Sequence, residues 1–272
     1  LGDGWLNRAL TPMGVSGDGA LAIAASPPLM LSGPVKVSSW MPSVMPQPDT
    51  AFLKSVRGLY GSDAVLRASL DSALHTEAEA DAAMDDKPQT PQQMAQRAGS
   101  YGDLTPLFAG AGKLLARDDG PRVAVLDASG WDTHVNEGAG DGQLARRLRA
   151  LDTALDAMKT AMGPAWKKTA VVMATEFGRT VAPNGNGGTD HGTAGAAFLL
   201  GGAVQGGVVK AEWTGLKPSA LQDGRDQPPR TDTRTVLKGV LADHMRVPRR
   251  DLETTVFPDS GTAAPTSSLI AA

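Results

Sequence analysis

Residues 169–195 read TAVVMATEFGRTVAPNGNGGTDHGTAG. The run Thr169-Ala170-Val171-Val172-Met173-Ala174-Thr175 is apolar, of strand length and rich in β-branched residues, the pattern of a strand buried on both faces. Glu176, Phe177, Gly178 and Arg179 stand at its carboxyl end. A loop from Asn184 to Gly188, too rich in Gly and Asn for helix or strand, then delivers Asp190 and His191 side by side. Open α/β sheets bind ligands beyond the carboxyl ends of their strands, so these polar residues are placed for chemistry.

The preceding segment repeats the arrangement. Arg122-Val123-Ala124-Val125-Leu126-Asp127 reads as a short strand, and after Ala128-Ser129-Gly130 come Trp131-Asp132-Thr133-His134, then Asn136 and Glu137. Leu144, Leu148, Leu151, Leu155, Met158 and Met162 recur at helical spacing until Gly163-Pro164 stops the helix. Strand, helix and strand in this order predict a right-handed parallel crossover, with both polar clusters on one edge of one sheet. The fold class expected is α/β, a doubly wound, largely parallel sheet flanked by helices. One domain is expected over residues 1–260, with a flexible tail over 261–272.

Elsewhere the signals are structural. Ala20 to Ala25 and Val35 to Trp40 have strand composition on either side of a Pro27-Pro28 turn, and Trp5 and Trp40 read as core anchors. Asp49 and Thr50 are possible caps for a helix carrying Phe52, Leu53, Val56, Leu59 and Tyr60 on one face. Ser62 is placed to cap a second helix with Leu66, Leu70 and Leu74, which fades into an acid-rich, solvated stretch; His75 there reads as exposed or satisfied. Thr90-Pro91 starts another helix, and Leu104 to Leu115 mark a packed one. Ala196 to Leu200 reads as a strand and Val208 to Trp213 as a hairpin arm. Asp232 caps a helix with Val236, Leu237, Val240, Leu241 and Met245, with His244 near its end in a structural role.

Composition excludes several classes. The 272 residues hold 26 Lys+Arg against 29 Asp+Glu, a net charge of -3, which is no footprint for nucleic acid. No apolar run reaches membrane-spanning length. The absence of cysteine removes disulfides and thiolate metal sites, and 32 Gly with 19 Pro predict many loops.

Asp132, His134, Glu176, Asp190 and His191 are therefore the candidate metal ligands. Imidazole with carboxylate suits zinc, manganese or iron rather than a calcium cage. Arg179 adds a planar cation able to hold phosphate or sulfate in bidentate fashion. Metal and arginine facing an anionic ester make a hydrolase arrangement. The competing reading makes the same residues caps and turn formers, with Arg179 paired to Glu176. Two of only four histidines, each with an aspartate within two positions and both at predicted strand ends, favour the metal site.

Gly130-Trp131-Asp132-Thr133-His134, Glu176-Phe177-Gly178-Arg179-Thr180 and Thr189-Asp190-His191-Gly192 resemble the successive signatures of the bacterial family called domain of unknown function fifteen hundred and one. Gly4-Trp5-Leu6-Asn7-Arg8, Trp213-Thr214-Gly215-Leu216, Asp232-Thr233-Arg234 and Val256-Phe257-Pro258 support the likeness. The resemblance implies an alkaline phosphatase-like or sulfatase-like fold acting on phosphate or sulfate esters through one or two divalent transition metals, zinc or manganese first. Asp132, His134 and the Asp190-His191 pair resemble the ligands of one metal, and Glu176 resembles a carboxylate serving a second. In that family a twin-arginine leader and a first strand with an aspartate and a nucleophile come earlier. Neither motif is found here, so the resemblance implies a periplasmic or secreted protein of which this chain carries part of the site, poorly active as a fragment. A non-catalytic binding or scaffold protein that retains the fold is the alternative.

Overall fold

The computed structural model describes residues 2–41, 48–84 and 104–271. The helix start expected at Thr90-Pro91 lies outside them. The chain is a mixed α/β protein and divides into two compact units, Leu1–Ser129 with Leu151–Gly163, and Gly130–Ala150 with Pro164–Ala272.

The first unit contains a three-stranded parallel sheet in the order β2 (Ser38–Ser39), β1 (Ala20–Ile23), β3 (Val123–Leu126). All four β1 residues are buried, as the central strand of a sheet covered on both faces must be. Leu21, Ile23 and Trp40 pack with Ala80, Ala111 and Leu114, which come from α3 (Ala64–Met84) and α4 (Thr105–Leu115). Trp40 is thus the core anchor that its composition suggested. Gly112 on α4 allows a close helix crossing, since a Cβ there would lie 2.7 Å from the Met158 carbonyl oxygen. Asn7 on α1 (Trp5–Leu10) is fully buried; its amide donates to the Leu31 and Val35 carbonyls, both at 2.8 Å, and its Oδ1 accepts from the Val35 backbone at 3.2 Å. That clamp satisfies loop groups no strand could pair.

Two helices differ from expectation. Asp49 caps α2 (Thr50–Leu59) by accepting from Phe52, but Phe52 and Leu59 are exposed and nothing on this helix is buried. The cap of α3 is Asp63 rather than Ser62, because its carboxylate reaches the Val65 and Leu66 amides at 2.9 and 3.0 Å. Leu66 is exposed, and Thr76 and Ala80 supply the buried face instead.

In the second unit β4 (Val171–Met173) pairs with β7 (Phe198–Leu200) in an antiparallel ladder, and β5 (Gly178–Arg179) pairs with β6 (His191–Gly192) in another. This corrects the single-sheet crossover. The helix α5 (Gln143–Met162) follows β3 and precedes β4 as expected, but β4 finds its ladder with a strand later in the chain, in a sheet separate from β3 among the described residues. Residues 208–213, expected as a hairpin arm, form no strand among the described residues, and Val208, Val209 and Trp213 are exposed.

The helix α6 (Thr233–Asp243) starts at its Asp232 cap, and a short α7 (Arg249–Asp251) runs into a π-helical turn, Leu252–Val256. Lys238 is fully buried and its ammonium donates to the Ser260 and Ala263 carbonyls at 2.7 and 2.9 Å. The end of the chain, expected to be flexible, is packed here. Ala263 and Leu269 are buried, and the Ala271 and Gln205 amides bond to the Ala203 and Leu269 carbonyls.

Candidate metal centre

The site is built from two loops of the second unit. The first carries Trp131 to Glu137, the second Arg179 to Gly192. Val135 and Gly187 form an isolated antiparallel bridge between them, and the Thr189 amide donates to the Thr133 carbonyl at 3.2 Å. The loops approach so closely that a Cβ on Gly188 would lie 2.2 Å from the His134 carbonyl carbon. Only glycine fits there. Asn184 completes the junction: its amide donates to the His134 carbonyl at 3.0 Å and to Asp190 Oδ1 at 2.9 Å, while its Oδ1 accepts from the Asn186 and Gly188 amides. In the sequence this Asn is one residue of a Gly- and Asn-rich loop.

The junction brings together Asp132, His134 and His191, whose ligand atoms all lie within 4.8 Å of one another. Asp132 Oδ1 is 3.0 Å from His134 Nε2 and 2.9 Å from His191 Nε2. His134 Nδ1 faces Asp190 Oδ1 at 3.1 Å. His191 stacks on Phe177 with ring centroids 4.2 Å apart, so one face of that imidazole is covered by an apolar ring. The convergence expected of the two clusters is present, and loop contacts create it rather than a shared sheet edge.

The donor set fits a divalent transition metal. Nitrogen and oxygen ligands at about 2.0–2.2 Å from zinc sit roughly 3–3.5 Å apart, the scale of the two separations between Asp132 and the imidazoles. With Nδ1 facing Asp190 Oδ1 at 3.1 Å, the His134 ring presents Nε2 to Asp132 Oδ1 3.0 Å away. Asp190 stands where a carboxylate orienting a metal-binding imidazole stands at metal sites.

Glu176 does not join the group. It is exposed in the bend between β4 and β5. Arg179 does join it, but not as an outward clamp. Its Nη1 donates to the Thr189 carbonyl and its Nη2 to the Trp131 carbonyl, both at 2.8 Å, and Nη2 also lies 2.9 Å from Asp132 Oδ1. The pairing with Glu176 supposed by the competing reading is not made; Arg179 pairs with Asp132 instead. Arg225, which sequence reading passed over, donates to the His191 carbonyl at 2.7 Å and remains half exposed.

Electrostatics follow the geometry. Burial works against the charged form of Asp132, but the hydrogen bond with His191 and the charges of His134, His191 and Arg179 prevail and lower its pKa. Hydrogen bonds from Asn184 and His134 lower that of Asp190, with partial desolvation opposing them. Both carboxylates are therefore held in the ionised form a metal ligand or a ligand's orienting partner needs.

Fold and site together define a mixed α/β protein with an exposed Asp-His-His group on two interlocked loops. The chain belongs to the family described as Protein of unknown function (DUF1501), whose model matches residues 1–256. No curated protein and no solved structure matches it.

Proposed function

We propose that this protein is a metal-dependent hydrolase of phosphate or sulfate esters, with Asp132, His134 and His191 as the ligands of a zinc or manganese ion. The observation carrying this reading is the approach of one carboxylate oxygen to two imidazole Nε2 atoms at 2.9–3.0 Å. A divalent ion held there supplies Lewis-acid polarisation of an ester oxygen and an acidified water. Asp190 orients His134, Arg179 fixes Asp132 and both loops, and Phe177 shields one face of His191 from water. The doubly wound, alkaline phosphatase-like arrangement, a second metal served by Glu176, and export to the periplasm by a twin-arginine leader belong to the same proposal. They rest on the resemblance of the three signatures.

The test is metal analysis of the purified chain, followed by assays on p-nitrophenyl phosphate and p-nitrophenyl sulfate with added zinc or manganese. The expected result is uptake of about one ion per chain, lost in His191→Ala, with metal-dependent release of nitrophenol that is slow in this chain, in keeping with a resemblance to only part of a site. Wild-type protein that takes up neither ion overturns the reading. A second reading, a binding protein that retains the site without turnover, is favoured by one observation: Arg179, the cation expected to grip the ester, already donates to two loop carbonyls and pairs with Asp132. Metal uptake with no ester hydrolysis selects it.

A further inference from the structure

The two loops are also joined by a carboxylate outside the ligand group. Glu137 Oε2 accepts from Thr133 Oγ1 at 3.0 Å and from Thr189 Oγ1 at 2.7 Å. Thr133 lies between Asp132 and His134 and is buried; Thr189 directly precedes Asp190 and His191. Glu137 is itself held at both ends of its peptide. Its amide donates to the Gly187 carbonyl at 2.9 Å, and its carbonyl accepts from Leu144 at the start of α5 at 3.3 Å.

We infer that Glu137 is a positioning residue for the metal centre, acting through the hydroxyls of Thr133 and Thr189. This rests on the metal-binding reading above. The Thr133 and His134 amides bond back to the Trp131 and Asp132 carbonyls at 3.0 and 3.2 Å, so tight turns tie the Thr133 backbone to that of Asp132 and His134. Fixing the Thr133 hydroxyl therefore fixes the rotation of the backbone that aims Asp132 and His134. The bond to Thr189 does the same for the peptide entering Asp190 and His191, and one oxygen sets both against a common reference. A carboxylate oxygen suits the task because it accepts two hydrogen bonds and donates none. Without it, each threonine can turn and each ligand pair can swivel on its own loop. Outer partners of this kind are worth roughly 10–100-fold in metal affinity.

The experiment is zinc titration of the full chain and its variants by calorimetry, with apo-protein melting temperatures alongside. Glu137→Ala is expected to weaken zinc about 10–100-fold. Glu137→Gln, whose amide oxygen can still accept both hydroxyls, should stay within about fivefold of wild type. In a Thr133→Val/Thr189→Val background, Glu137→Ala should add less than about a twofold loss, because its partners are already gone. Thr189→Val alone, a change of little volume, should weaken zinc several-fold and keeps the test open if Glu137→Ala does not fold. Wild type that binds zinc while Glu137→Ala binds it equally well overturns this inference alone. So does Glu137→Gln as weak as Glu137→Ala, or an undiminished Glu137→Ala loss without the two hydroxyls. Wild type that binds no zinc overturns the metal reading together with it.

Discussion

His134 and Asp190, fifty-six positions apart in the chain, meet with Nδ1 and Oδ1 3.1 Å from one another, and that contact turns His134 Nε2 toward Asp132. Under the proposed metal reading the two aspartates do different work, Asp132 as ligand and Asp190 as the anchor of a ligand. Asp190→Ala is therefore expected to weaken zinc about 10–100-fold, whereas Asp132→Ala and His134→Ala abolish measurable binding. Calorimetric titration separates the cases. A loss for Asp190→Ala as complete as that for Asp132→Ala would make Asp190 a ligand as well.

Arg179 ties Trp131 to Thr189 through two carbonyls, with a side chain only 22% exposed. Arg179→Met should destabilise the second unit by about 2 kcal/mol, the scale for hydrogen bonds made by a charged group. Arg179→Lys should recover little, since a single ammonium cannot reproduce the fork. Urea unfolding curves give both values, and a Lys variant as stable as wild type would remove the bracing role.

Gly188 sits where a Cβ would come within 2.2 Å of the His134 carbonyl carbon and 2.3 Å of its oxygen. Backbone cannot yield as a flexible side chain can. Gly188→Ala is expected to cost about 2–3 kcal/mol by overpacking and to part the two loops, with loss of zinc binding. Titration of the folded variant checks it: wild-type affinity would mean the loops can separate without disturbing the ligands.

Asp232 caps α6 by accepting from the Arg234 amide at 2.9 Å, and the Arg234 side-chain hydrogen bond, opposed by desolvation, lowers its pKa. A depressed folded value means the cap's contribution is complete above the unfolded aspartate range and is lost as pH falls through the folded value. Asp232→Ala should thus cost about 1 kcal/mol at neutral pH, with the gap to wild type closing in acid. Unfolding free energies measured from pH 7 downward test the sign, and a gap that widens in acid contradicts it.

Lys238 is fully buried, and burial lowers its pKa while the Glu253 charge opposes the shift. Lys238→Met leaves the Ser260 and Ala263 carbonyls without their donor, at an expected cost of about 2 kcal/mol. Faster amide exchange at Ala263, Gln205 and Ala271 is the accompanying sign, because those amides lie in, or donate to, the segment Lys238 anchors. Unchanged exchange there would show that Leu269 and its neighbours hold the segment without the lysine.

The amino-acid sequence by itself determined the local elements and the chemistry on offer. The strands at Val123–Leu126 and Val171–Met173, the helix Gln143–Met162, the caps Asp49 and Asp232, and the two Asp/His-bearing loops were legible because periodicity, capping and turn chemistry act within a few residues. Tertiary structure decided the partners. It gave Val171–Met173 to Phe198–Leu200, left Glu176 in solvent, turned Arg179 inward and put Glu137 and Asn184 between the ligand loops. It also buried Asn7 and Lys238, polar residues that composition would place outside. The reason is the range of the forces involved. A carboxylate, amide or ammonium takes its role from whichever group lies within about 3 Å of it, and here that group sits four to more than fifty positions away in the chain.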